Sequence, residues 1–249
     1  MSTIILSGIV VFFSFTLEVI TGFGGTVTAV SFITSLLGMH TGVVILTIIS
    51  IIPQLTVVIR NFRKIDWKNY LIIVVLMFPF LFVGRAFQSL VDTAILKKIL
   101  ACFVIAISVF RLVQLRIRAV RRREGQQLEE NTRVKWYSYF ALAGAGIIHG
   151  MFSSGGPLAI IYSSSAIKER DSFRSTMCLM WITLNSILVV TYAVDGSITA
   201  EIMKTVLCLV PFLVAGIIAG NLIVRKVDNK VFSIVVYACL FVTGIFMLI

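Results

Sequence analysis

Charged residues are scarce in this chain. Asp, Glu, Lys and Arg make up only 13 % of its 249 residues, whereas 59 % are hydrophobic and the mean hydropathy is +1.03. In soluble domains about a quarter of the residues are charged, because the whole surface is in contact with water. The low content of charge therefore excludes a soluble globular protein.

Several chemical signatures are missing as well. The four cysteines lie inside apolar segments at unrelated spacings, so they indicate neither a disulfide framework nor a metal site. The chain contains no glycine-rich nucleotide-binding motif and no G-x-S-x-G hydrolase motif. We therefore expect no cofactor and no metal, and ATP-driven activity would require a separate subunit.

Long apolar runs are abundant instead. Each is close to the roughly 17 to 25 residues that cross a hydrocarbon core, and none alternates in the manner of a transmembrane β-strand. The runs cover residues 3–21, 42–59, 69–84, 95–113, 135–152, 175–194, 202–224 and 231–249. The sequence predicts an all-α polytopic integral membrane protein that has the lipid bilayer as a partner.

The positive charges are concentrated at particular places. The net charge is +11, and 18 of the 22 Lys and Arg residues fall within residues 60–68, 111–135, 168–174 and 225–230. Positive residues near helix ends mark cytoplasmic loops, so we interpret the basic excess as topology and predict no nucleic-acid partner. This topology predicts a multi-pass protein of the cell inner membrane with both termini outside. Arg85, Lys97 and Lys98 depart from it, because they fall on the predicted outer side.

Two glycine-rich breaks interrupt the apolar pattern, at Gly22–Thr26 and at Phe152–Pro157. A shift of 131 residues aligns Gly24-Gly25-Thr26 with Gly155-Gly156-Pro157, Glu18 with His149, and Gln54 with Asn185. A short segment follows each break, at 26–37 and 157–167, and both are shorter than the roughly 20 residues of a spanning helix. Paired interruptions in two halves of a membrane chain are the best sequence indication of a transport site.

The charges of the loops predict that the two halves cross the membrane in opposite directions. The basic loop 60–68 would be inside, whereas its counterpart 195–201 would be outside. We therefore predict two inverted-topology repeats, residues 1–113 and 135–249, joined by a basic cytoplasmic linker, residues 114–134. Each repeat would consist of a glycine-broken short hairpin followed by three spanning helices.

The breaks predict an anion site. Non-helical backbone at membrane depth is tolerated only inside protein or beside a polar cavity, and the N-terminus of a helix attracts anions through its free N–H groups. The predicted substrate-binding residues are Gly24, Gly25, Thr26, Gln54, Ser153, Ser154, Gly155, Gly156 and Asn185, with Trp181 as a cavity wall. The alternative is that the glycines allow close helix packing and that the two amides join helices by hydrogen bonds.

Glu18 and His149 are candidates for proton coupling. Both are ionisable residues within apolar segments, where such residues are costly and often functional. Histidine titrates near neutral pH, and Glu18 would have to be neutral to contact an anion directly. The alternative for each is a hydrogen-bonded packing residue.

These features together resemble the TauE/SafE family of membrane transporters, also called the sulfite exporter or TSUP family. The matching residues are Gly22–Gly25, Gly150–Pro157, Ile65-Asp66-Trp67 and Gly196-Ser197-Ile198. The resemblance spans most of the chain. It implies export or uptake of small sulfur-containing anions such as sulfite, sulfoacetate or another organosulfonate.

The leading hypothesis is a secondary transporter of a small anion that works by alternating access, with or without proton coupling, and not an enzyme. A passive anion channel differs from it only in energetics and stays open at this point. A further alternative is an intramembrane serine hydrolase, with Ser153 or Ser154 as nucleophile and His149 as base. The sequence is compatible with a homo-oligomer, but does not predict one.

Overall fold

A computed structural model describes residues 2–21, 25–123 and 134–223, together with several positions between 234 and 248. This part of the chain contains helices and no strand. The α-helices are α1 Ser2–Thr21, α2 Gly25–Leu37, α3 Met39–Asn61, α4 Trp67–Leu90, α5 Thr93–Arg123, α6 Tyr137–Phe152, α7 Gly156–Ala166, α8 Arg170–Val194 and α9 Ala200–Ile223. A 3-10 turn, Phe62–Lys64, follows α3. The predicted all-α class is confirmed.

Five of these helices, α3, α4, α5, α8 and α9, are long and apolar enough to cross a membrane, by length and composition. Their outer faces expose large apolar side chains, among them Leu71, Val75, Val190 and Leu207. A soluble protein rarely exposes so much apolar surface in contiguous form, whereas lipid tails accept it. The chain is a multi-pass membrane protein.

Both predicted breaks separate a longer helix from a short one. Helix α6 ends at Phe152 and α7 begins at Gly156, whereas α1 ends at Thr21 and α2 begins at Gly25. Helices α2 and α7 have 13 and 11 residues, too few for the roughly 20 of a spanning helix. The short segments thus begin and end within one residue of their predicted bounds. Gly24 lies outside the described residues.

The helices pair across the two halves of the chain. Helix α1 packs along α9, α6 along α4, and α3 along α8. Glycine permits the close approach of backbones: a Cβ atom on Gly84 would lie 2.1 Å from the carbonyl oxygen of Ile147. If the two halves are exchanged, the α1–α9 pair becomes the α6–α4 pair and the α3–α8 pair becomes itself. Two repeats related by a two-fold axis produce such pairing, and the inverted orientation of the repeats stays a prediction.

The bundle has two distinguishable ends. We call the end that carries residues 60–68 and 168–174 the basic end, where Lys64 forms an ion pair with Asp171. The opposite end carries Gly38, residues 90–93 and residues 195–199. Trp136 and Trp67, which begin or precede helices at the basic end, are exposed, as is usual at a membrane interface.

Two predicted regions are only partly described. Helix α5 continues to Arg123, well into the predicted linker 114–134, and residues 124–133 lie outside the described part. The last predicted span, 231–249, and the basic stretch 225–230 also fall largely or wholly outside it.

Candidate functional site

The second break has an unusual backbone conformation. Ser153 ends α6 with φ 51° and ψ 32°, and it is the one non-glycine residue with positive φ in the described part of the chain. Its N–H donates to the carbonyl oxygen of His149 at 2.7 Å. Its hydroxyl is hydrogen-bonded to the hydroxyl of Thr47 on α3. Left-handed backbone is disfavoured for side chains other than glycine, Asn and Asp, so this contact with the other half of the chain helps to hold the break open.

A central cavity of about 50 Å³ lies between the two breaks. One water molecule needs roughly 10 to 15 Å³ on the same measure, so the cavity has room for a small ion. Its polar lining consists of Glu18, Thr26, Gln54, His149, Ser153, Ser154, Gly156, Trp181 and Asn185, and its apolar lining includes Ile160, Phe173 and Met177. Most of the residues predicted for substrate binding and proton coupling thus surround one cavity, at the crossing of α3 and α8.

Two of the glycines predicted to bind substrate, Gly25 and Gly155, do not line the central cavity. A Cβ atom on Gly25 would lie 2.5 Å from the carbonyl oxygen of Ser14, and one on Gly155 only 2.2 Å from that of Ala145. Both glycines are therefore needed where the short helix packs against the helix before it. Gly156 is less restricted, since a Cβ atom there would be in ordinary van der Waals contact with the Trp181 ring at 3.6 Å. The packing interpretation thus accounts for Gly25 and Gly155, but not for Gly156.

Unpaired polar atoms are concentrated at the central cavity. The described residues contain seven buried side-chain N or O atoms without a hydrogen-bond partner, and five of them belong to cavity residues. These five are Gln54 Oε1, Asn185 Oδ1, Ser154 Oγ and both ring nitrogens of His149. The side chains of His149 and Asn185 nevertheless lie close enough to interact with each other. Each parent residue is at most 4 % exposed. A buried polar group without a partner costs about 1 to 3 kcal/mol, so the cluster indicates a site for a polar ligand.

The His149 imidazole packs against Trp181 in a tilted arrangement. The ring centroids are 4.9 Å apart and the planes differ by 35°, and His149 is only 1 % exposed. This contact restricts the ring while its two nitrogens keep their hydrogen-bonding capacity. The hydrolase alternative needs a hydrogen bond between His149 and a serine, and neither nitrogen makes one among the described residues. Ser153 instead pairs with Thr47.

Two functional candidates were not predicted from the sequence. Thr47 contacts Ser153, and the hydroxyl of Ser50 accepts a hydrogen bond of 3.0 Å from Nδ2 of Asn185. Both residues are fully buried on α3. They precede Gln54 by seven and four positions, which is the spacing of one helix face. That spacing is the signal in the sequence that would have identified them.

A second, larger cavity of about 140 Å³, which we call the vestibule, adjoins the basic end. Arg60, Asn61, Arg174 and Asn221 line it, and it shares Glu18, Gln54 and Cys178 with the central cavity. The hydroxyl of Thr26 approaches Oε2 of Glu18 at 3.5 Å. Glu18 therefore stands between the vestibule and the central cavity.

Comparison with known proteins identifies a family model that fits the chain. The family model described as "Sulfite exporter TauE/SafE" matches residues 7–247 of the chain. No curated protein and no solved structure matches it.

Proposed function

The chain belongs to the sulfite exporter TauE/SafE family, and from this we propose that it is a secondary transporter of a small sulfur-containing anion. Sulfite, sulfoacetate or another organosulfonate would bind in the central cavity and cross the cell inner membrane by alternating access. Both termini would lie outside, as the distribution of positive charge predicts.

The observation that carries this proposal is the cluster of unpaired polar groups around the central cavity. An oxyanion accepts hydrogen bonds, and Ser154, an N–H of His149 and an amide of Gln54 can each supply one. Amide groups present either oxygen or nitrogen after rotation, so the unpaired oxygens do not exclude donation. The N-terminus of α7 at Gly156 adds a partial positive charge.

Proton coupling forms part of the proposal. The central cavity is lined by no Lys or Arg among the described residues, whereas Glu18 lies on its boundary with the vestibule. An ionised carboxylate would repel an anion about to bind. Uptake of one proton by Glu18 removes that repulsion, and His149 supplies a second group that can carry a proton beside the substrate.

Flux measurements in proteoliposomes test the proposal. The purified protein should carry at least one of sulfite and sulfoacetate, and should accumulate it against its gradient when a pH gradient is imposed; sulfate, taurine and chloride complete the panel. If the protein carries the anion down its gradient but an imposed pH gradient never drives accumulation, the protein is a passive channel. Failure to carry any sulfur anion would refute the substrate assignment.

A matched pair of variants connects the flux to the cavity. Asn185→Asp places a carboxylate among the cavity groups at constant size, and we expect it to abolish anion flux. Gln114→Glu makes the same neutral-to-acid change on α5, beside Arg111 and away from the cavity, and should leave the flux unchanged. Equal flux in both variants would place the substrate elsewhere.

A further inference from the structure

A buried arginine joins two helices at the end of the bundle opposite to the basic end. Arg85 of α4 is 9 % exposed. Its Nη2 donates to Oδ2 of Asp195 at 3.0 Å, its Nη1 donates to Oε1 of Gln88 at 2.9 Å, and its guanidinium carbon lies 4.6 Å from the centre of the Tyr192 ring. We call these four residues the arginine cluster. It explains the departure of Arg85 from the predicted topology, because this charge is paired inside the protein.

The arginine cluster is connected to the second break. Nε2 of Gln88 donates to the carbonyl oxygen of Met151 at 2.8 Å, two residues before Ser153. The Tyr192 hydroxyl approaches Oε1 of Gln88 at 3.5 Å and interacts with the side chain of Thr47. The cluster therefore contacts Met151 and Thr47, and Thr47 in turn pairs with Ser153, which lines the central cavity.

The predicted repeat shows how the two ends differ. The shift of 131 residues that aligns the breaks also aligns Thr47 with Cys178, and the later alignment of Gly84 with Gly220 places Arg85 opposite Asn221. Cys178 and Asn221 line the vestibule, which lies at the basic end. Thr47 and Arg85 hold the equivalent places on the other side, where both are buried. Equivalent positions are thus open at one end and closed at the other.

We propose that the arginine cluster is the gate that closes the central cavity from the end opposite to the basic end. The inference rests on the proposed alternating access: this gate must open, and the Arg85–Asp195 pair must separate, when the cavity faces that end. The contact between Gln88 and Met151 would couple opening to movement at the second break. Nε of Arg85 has no hydrogen-bond partner among the described residues. The closed cluster therefore leaves one donor unsatisfied, which lowers the free energy needed to separate Arg85 from Asp195.

Thiol labelling from each side of the membrane tests the gate without any assumption about the substrate. Two reporters occupy equivalent places in the repeats: native Cys178, and Thr47→Cys in a chain with Cys178→Ser. The other cysteines are replaced by serine in both. A membrane-impermeant thiosulfonate is applied to right-side-out and inside-out vesicles, and labelling of Cys178 identifies the vesicles that expose the basic end.

With the gate intact, Cys178 should label from one side of the membrane only, which is thereby identified as the side of the basic end, and Thr47→Cys should label slowly from the other side. Arg85→Gln and Asp195→Asn should each accelerate the labelling of Thr47→Cys from that end by about tenfold, the population shift that loss of a hydrogen bond to a charged group produces. Lys98→Gln removes an exposed charge from the same region and should leave the rate unchanged.

Two results would overturn the inference. One is labelling of Thr47→Cys from the opposite end that is already fast in the parent, which would show that the cluster does not close the path. The other is a rate of Thr47→Cys labelling from the opposite end that neither Arg85→Gln nor Asp195→Asn changes. Labelling of Cys178 from the basic end in the same variants would show that they are folded. Because Asp195 is 45 % exposed in its side chain, Asp195→Asn gives this answer even where Arg85→Gln fails to fold. If labelling behaves as expected and no sulfur anion is carried, the gate stands and the proposed substrate does not.

Discussion

Gln54 offers the sharpest test of the central cavity, because binding and packing predict opposite results there. The residue is 4 % exposed and its Oε1 has no hydrogen-bond partner in the described part of the chain. Leucine has a similar volume and no polar atoms, so Gln54→Leu removes an unsatisfied group without leaving a large void. An unsatisfied buried group costs about 1 to 3 kcal/mol. The variant should therefore unfold at the same temperature as the parent or at a higher one.

Binding should change in the other direction. A hydrogen bond to a charged group contributes about 1.5 to 3 kcal/mol, which corresponds to a rise of about 10- to 150-fold in the dissociation constant. Isothermal titration with sulfite and thermal unfolding in detergent measure the two effects on the same samples. If Gln54 instead joins helices by hydrogen bonds, its loss lowers the unfolding temperature and leaves the affinity unchanged, and that result would refute the reasoning.

Thr183→Val is the matched control for Gln54→Leu. Thr183 lies on α8 outside the cavity, and its hydroxyl pairs with that of Tyr70 at 2.8 Å. Removal of the Thr183 hydroxyl leaves the Tyr70 hydroxyl without this hydrogen-bond partner, so the unfolding temperature should fall. The affinity for sulfite should stay at the parent value.

The remaining predictions concern the proton and the glycines. Glu18→Gln should keep downhill anion flux in proteoliposomes but lose its response to a pH gradient; a full response in Glu18→Gln that disappears in His149→Asn would assign the proton to the histidine. Gly155→Ala should lower the unfolding temperature clearly, because its Cβ would lie 2.2 Å from a carbonyl oxygen, whereas Gly156→Ala, with 3.6 Å to the nearest side-chain atom, should not. An equal fall in unfolding temperature in both glycine variants would contradict the positions described for the two glycines.

The sequence predicted the helices and the breaks well, because both depend on local composition. Apolar runs define the spans, and a pair of glycines defines where α7 begins. The offset of 131 residues then selected Gln54, Asn185, Glu18 and His149, which line one cavity in the structure. No distance was needed for that selection, since an amide or an ionisable group in an apolar helix is exceptional by itself.

Roles that depend on which residues come into contact in the folded structure could not be predicted from the sequence. Gly155 and Gly156 are neighbours in the sequence, yet Gly155 packs tightly against a carbonyl oxygen, whereas Gly156 leaves room for a Cβ atom beside the Trp181 ring. Thr47 and Ser50 resemble the ordinary small polar residues of membrane helices until the fold brings Ser153 against Thr47 and Asn185 against Ser50. Arg85 contradicted the predicted topology because its partner, Asp195, is 110 positions away along the chain.

The placement of positive charge around the site suits a transporter of anions. The central cavity offers hydroxyl, amide and imidazole groups together with a helix N-terminus, whereas Arg60 and Arg174 line the vestibule and Arg85 belongs to the arginine cluster. A buried cation in the cavity would itself need a partner whenever the substrate is absent, at a cost of several kcal/mol by order of magnitude. Neutral donors without a ligand carry a smaller free-energy penalty, and on the proposed mechanism they would hold an anion weakly enough to release it on the other side. Exposed arginines in the vestibule meanwhile raise the local concentration of anions. A substrate attracted by full charges and then bound by dipoles can both enter and leave, which repeated turnover requires.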